Sequence, residues 1–197
     1  MKRTSVVSSL FGLSLLAAVP ARAEPLRLSP TVGLAVGLRS ERLRVRSAPL
    51  DVETSRQRLD VGLEAGLSMR LPWRLGPAEL RSQTQGALGL LPATGELVLG
   101  AEQQLLTEWH LSPAFSLQLG LAGALQLSTR SGHGLFEVGV PLGLRLGVTE
   151  LLYVPAFVLP IGARQQAVLG GESRQELSPG LAPGRLVLRW RLGGSGS

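Results

Sequence analysis

The chain has 197 residues, 20 basic against 14 acidic side chains, a formal charge of +6 and no cysteine. The lack of cysteine excludes a disulfide framework, a thiolate metal site and a lipid-modified N-terminal Cys. Two isolated histidines give no metal-ligand spacing, so no metal or other cofactor is expected.

The N-terminus reads as an export signal: Lys2 and Arg3, an apolar stretch from Leu10 to Val19, then Ala21-Arg22-Ala23 as a small-x-small cleavage site. Cleavage after Ala23 removes three cations, and the balance falls to 17 arginines against 14 carboxylates. Every remaining cation is an arginine, and these are spread along the chain rather than gathered on one face. Nucleic acid is therefore not an expected partner. Beyond the leader no apolar run approaches the roughly 18 residues of a spanning helix. A membrane location would have to be reached with strands.

The hydrophobic period is two. From Arg58 to Leu75 the odd positions are apolar (Leu59, Val61, Leu63, through Trp73 and Leu75), whereas the even ones carry Arg58, Asp60, Glu64, Arg70 and Arg74. A strand sorts residues this way and a helix does not. The same alternation runs from Phe115 to Leu127 and from Phe136 to Val148. Short connections at Gly76-Pro77, Ser112-Pro113-Ala114 and Thr149-Glu150 alternate with longer ones at 47–56, 128–134 and 165–182, Pro92 to Gly95 being a short exception. Eight strands are predicted, at 27–46, 57–75, 78–91, 96–111, 114–128, 135–148, 151–164 and 184–192. In the first of them the apolar parity changes between Leu38 and Leu43. A β-bulge near Ser40-Glu41 would restore the phase and is preferred to a hairpin there.

If the apolar face of each strand points outward, the charges fall inward: Arg39, Arg58, Asp60, Glu64, Arg70, Arg74, Glu79, Arg81, Glu96, Glu102, Glu108, Glu137, Arg145, Arg164, Arg185, Arg189 and Arg191. Placing an Arg or Lys against lipid near the midplane costs about 2–4 kcal/mol. A soluble sandwich would show the same alternation with the faces exchanged. The aromatic residues separate the two readings. Trp73, Trp109, Phe115, Tyr153 and Trp190 lie on the apolar face beside the short turns or the C-terminus, as one girdle at one membrane interface would.

With strand count, turn asymmetry and girdle in place, the chain resembles the small outer-membrane barrels of OmpA and OmpX type. The resemblance lies in pattern over the whole mature chain. It implies an all-β, eight-stranded antiparallel up-and-down transmembrane barrel at 24–192 between a cleaved leader at 1–23 and a Gly/Ser tail at 193–197. It also implies residence in the cell outer membrane among its lipids, after insertion by the barrel-assembly machinery. Members end in a strand of alternating apolar residues closed by an aromatic. Here Leu186, Leu188, Trp190 and Leu192 supply the alternation, but the strand closes on Leu192.

An eight-stranded barrel is just wide enough to be filled by its own side chains. The predicted lumen network comprises Arg58, Asp60, Glu64, Arg70, Arg74, Glu79, Arg81, Glu102, Glu137, Arg145 and Arg189, with Arg74 and Glu79 facing each other across the Gly76-Pro77 turn. Such a lumen is plugged. A narrow solute channel is the alternative. Strict alternation around Gly33, Gly37, Gly62 and Gly66 removes the helix-dimer meaning of their GxxxG spacing.

Two groups invite a hydrolase reading. His110-Leu111-Ser112, with Glu108 nearby, has the His-x-Ser spacing of outer-membrane lipid A deacylases, but lies at the short-turn rim, away from the outer leaflet, and Ser112 opens a Ser-Pro turn. Ser131, His133 and Glu137 sit around a glycine-flanked loop. Neither has the structural context that the chemistry needs, and the protein is expected not to be an enzyme. On the outward face Ser82, Thr84, Gly86, Gln103 and Thr107 interrupt the apolar belt. Pairing of Thr84 with Gln103 would place them side by side against lipid, as a tolerated polar pair or as a contact site for a protein or lipid headgroup.

Overall fold

The computed structural model describes residues 27–47, 50–93, 95–129, 134–161, 164–168, 171–175 and 179–192, with side chains described outside 39–51, 53, 55, 56, 58, 164–168 and 171–175. The leader, the Gly/Ser tail, Ser131, His133 and the side chains of Arg39, Arg58 and Arg164 lie outside the described residues. The described residues form eleven strands: β1 Leu28–Ser47, β2 Leu50–Leu75, β3 Ala78–Leu91, β4 Glu96–His110, β5 Phe115–Ser128, β6 Gly134–Gly139, β7 Leu142–Leu146, β8 Thr149–Ile161, β9 Arg164–Val168, β10 Gly171–Gln175 and β11 Gly180–Arg191.

Ten pairings, all antiparallel, join nine of these strands into one closed sheet, and β11 returns to β1 with Val32 opposite Trp190 and Leu38 opposite Gly184. Closure removes both sheet edges. β6 and β7 are two parts of one staircase: both pair with β5 and with β8, and only Val140-Pro141 separates them. Pro141 has no N–H for the ladder. Its carbonyl still accepts from Gly120 N–H at 3.0 Å, and Val140 N–H donates to Pro155 at 3.1 Å. The ring is thus an eight-stranded up-and-down barrel.

Burial follows the pleat. Leu63 and Leu121 are 60 % and 64 % exposed on the outside, whereas Gln83, Gln104 and Leu106 are fully buried inside. Several segments differ from the sequence expectation. The first strand has no bulge: β1 and β2 pair without a shift from Leu28 opposite Met69 to Ser47 opposite Leu50. Above Leu38 and Val61 neither strand pairs with another barrel strand, so this end continues as a two-stranded ribbon. The stretch 47–56, expected as a loop, belongs mostly to that ribbon. β9 and β10 likewise form a hairpin within the expected loop at 165–182, and the last strand starts at Gly180.

The third short turn is Gly147-Val148, not Thr149-Glu150: Gly147 adopts φ +59°, and Glu150 already faces Arg145 across the ladder. From Leu59 onward the alternation of β2 holds until it fails near Pro72. Three residues there oppose one of β3, Leu71 is buried, and Arg74 swings toward the surface. Proline again withholds a ladder donor, and the strand bulges. A second irregularity lies at Pro183-Gly184. There a Cβ on Gly184 (φ +95°) would stand 2.6 Å from the Val154 carbonyl, so only glycine fits.

Candidate functional site

The lumen gathers residues from every barrel strand except β1 into a continuous polar network. At the short-turn end Glu79 binds Arg70, approaches Arg74 at 3.9 Å and meets His110 Nε2 at 3.2 Å. Next comes Glu108, fully buried between Arg81 and Arg145, with Arg191 at 3.5 Å. Arg191 also holds Glu150, whose two oxygens accept from Gln118 Nε2 at 3.3 Å and Gln83 Nε2 at 3.2 Å. Further up, the fully buried Arg189 donates to Glu64 at 2.8 Å, to Gln104 at 3.2 Å and to Gln83. Gln104 in turn donates to Glu102 at 3.0 Å, and Glu102 and Glu137 together hold Arg185. Beside this chain Thr31 and Gln85 exchange hydrogen bonds at 2.9 and 3.2 Å.

Planar guanidinium groups suit this role because each presents five donors in a fixed fork and remains charged. Buried charges are tolerated only when paired and hydrogen-bonded, and here arginine, carboxylate and carboxamide alternate across the space. Above Arg185 the lining changes. A cavity of about 80 Å³ opens there, walled by Ala35, Gly62, Gly89, Gly100, Ala124 and Ala156 among others, with Asp60 and Glu137 at its side. The lumen is therefore filled over the short-turn half and hollow near the long loops.

Of the predicted network, Glu64, Arg70, Arg74, Glu79, Arg81, Glu102, Glu137, Arg145 and Arg189 take part in these contacts, Arg74 largely exposed. Asp60 lines the cavity instead. Glu108, Arg185 and Arg191 are central to it, although they stood only in the wider list of inward charges. Glu150 was missed because the sequence reading put it in a turn. Gln83, Gln104 and Gln118 were missed because attention to charge overlooks neutral amides. Their signal was parity, since all three fall at inward positions.

The hydrolase reading gains no support at Ser112, which caps its own turn by accepting from Phe115 N–H at 3.1 Å. A different serine lies by the histidine: Ser116 Oγ is 2.8 Å from His110 Nδ1, with Arg145 at 3.0 Å and Glu79 on the far side of the ring. Ser116 is fully buried within the network, which leaves no space for a substrate carbonyl.

Outside, Trp73, Trp109, Phe115 and Trp190 lie next to the short-turn rim, Phe115 opposite Leu146 and Trp190 opposite Thr149. Tyr153 does not. It stands opposite Leu142 and Leu186, well up the wall, and donates to the Pro183 carbonyl at 2.6 Å, closing the second bulge. Thr84 and Gln103 are direct neighbours on the outer face. Thr84 Oγ donates to Gln103 at 2.6 Å, and Gln103 Nε2 donates to Ser82 at 2.8 Å.

No family model and no curated protein matches the chain. Among solved structures it is similar to OmpT, an outer membrane protein of Vibrio cholerae (11% identity, TM-score 0.32, 84% of this chain and 56% of that one). It is also similar to Neisserial surface protein A (14%, TM-score 0.37, 86% and 100%) and to an outer membrane channel from Pseudomonas putida F1 (9%, TM-score 0.28, 88% and 98%). The chain thus spans little more than half the length of the Vibrio cholerae protein.

Proposed function

We propose that this chain is an integral barrel of the bacterial outer membrane that serves as a non-enzymatic envelope or surface-contact component, closed to solutes. The observation that carries the reading is the unbroken network from Arg70 to Glu137, which occupies the lumen along its short-turn half. The exterior supports the membrane: a belt of exposed Leu and Val, costly in water, surrounds an interior that is costly in lipid. Export through the leader at 1–23 and insertion by the assembly machinery, reading the final strand with Leu186, Leu188, Trp190 and Leu192, complete the proposal.

Planar-bilayer recording tests it. Wild type is expected to give no conductance steps, while joint replacement of Arg185 and Arg189 by alanine opens the lumen and produces them. Steps from wild type would favour the second reading, a narrow channel, which draws on the hollow long-loop half.

A further inference from the structure

The lipid-facing belt has one contiguous defect. Ser82, Thr84, Gln103 and Thr107 bring polar groups to the outer surface of β3 and β4. Beside them and toward the long loops the outward positions are small, Gly86 being paired with Ala65 and Ala101 and Gly123 with Gln103, whereas Leu67, Met69 and Leu105 flank Thr84 and Ser82 on the other side. A Cβ added to Gly123 would meet nothing within 4 Å, and one on Gly86 only the Ala65 carbonyl at 3.7 Å, so the surface is recessed there rather than filled from below. No comparable cluster interrupts the belt elsewhere among the described residues. Lipid chains cannot hydrogen-bond, and a recess in the wall forfeits dispersion contacts with them.

We infer that this recess is the interface through which two copies of the chain associate within the membrane. Its polar groups are neutral and carry donors and acceptors together. Gln103 Nε2 donates to Ser82 and, at 3.4 Å, to the Gln104 carbonyl, and its oxygen accepts from Thr84. Its oxygen keeps a second lone pair and the Ser82 hydroxyl keeps its proton, so each copy offers the other both halves of a hydrogen bond. Copies inserted in the same direction place Gln103 at the same depth, and a two-fold axis along the membrane normal brings the patch onto itself, as an isologous dimer requires. Small residues let the walls approach until those amides meet, the logic by which small and polar side chains join membrane helices. A headgroup would instead call for charge, and it lies at the interface rather than six residues inside the Trp109 girdle position.

The inference rests on the membrane reading above, and its test separates the two. Because the chain has no cysteine, Gln103→Cys and Thr84→Cys introduce single thiols, and Leu144→Cys on another wall serves as control. In native membranes, after mobility shift on boiling has shown each variant folded and membrane-bound, mild oxidation is expected to give a dimer band from Gln103→Cys or Thr84→Cys and none from Leu144→Cys. Thr84→Leu with Gln103→Leu is expected to lower the dimer fraction of the otherwise wild-type chain about tenfold, read by sedimentation equilibrium in detergent micelles. Absence of the band from both thiols in folded protein, equal bands at Leu144, or a dimer indifferent to the double substitution would overturn the interface while leaving the membrane reading intact. Another protein or a lipid on the recess would give the first of these results.

Discussion

The two halves of the lumen are built on opposite principles within one wall. Near the short turns every wall strand but β1 sends a long polar side chain inward, and Glu108, Glu150 and Arg189 are fully buried among partners. Near the long loops the same strands send in glycine and alanine, and a cavity of about 80 Å³ remains. One barrel diameter is thus filled at one end and left hollow at the other by choice of residue size alone. In the packed half, stability and closure share the same side chains; in the hollow half neither depends on any one of them.

Substitutions can sharpen that contrast or break it. The largest effect is expected for Arg189→Met, which strips Glu64, Gln83 and Gln104 of a shared donor at once. Breaking a buried pair from one side costs about 3–5 kcal/mol, and urea midpoints followed by the boiling-sensitive gel shift should fall accordingly. Gln83→Leu, which leaves a Glu150 oxygen and an Arg189 N–H short of a partner, should cost about 1–3 kcal/mol in the same assay. Ala124→Val faces the cavity and should change stability by less than about 1 kcal/mol, because the added methyls enter open space. A loss at Ala124 matching that at Gln83 would mean that the two halves are packed alike.

Parity made most of this architecture legible beforehand. Strand count, the inward placement of Arg189 and Glu64 and the pairing of Arg74 with Glu79 all follow from a period of two and a tight turn. What escaped was local. The bulge at Pro72 and the break at Pro141 arise where a ladder donor is missing, and a hydropathy pattern cannot weigh that loss. Glu150 escaped because the apolar alternation runs on through Leu146 and Val148, which hides that Gly147 between them supplies the turn that Thr149-Glu150 was expected to make. The ribbon above Leu38 escaped because a change of parity does not tell a bulge from a strand pair that runs on past its other neighbours. The hollow lay open in the glycines and alanines, but their spacing around the ring needed the register.

In unassisted refolding the pairing of the last strand with the first also orders events in time. Arg185, Arg189 and Arg191 all lie on β11, and their carboxylate partners Glu102, Glu137, Glu64, Glu108 and Glu150 were laid down on earlier strands. Until the C-terminal segment docks, the growing sheet carries a surplus of negative charge along its future inner surface and two open edges. Its arrival neutralises the one and seals the other in a single step. Contacts between the two ends of a chain are the slowest to form, so an intermediate lacking only that strand should be open, acidic within and the longest lived on the path to the finished cylinder.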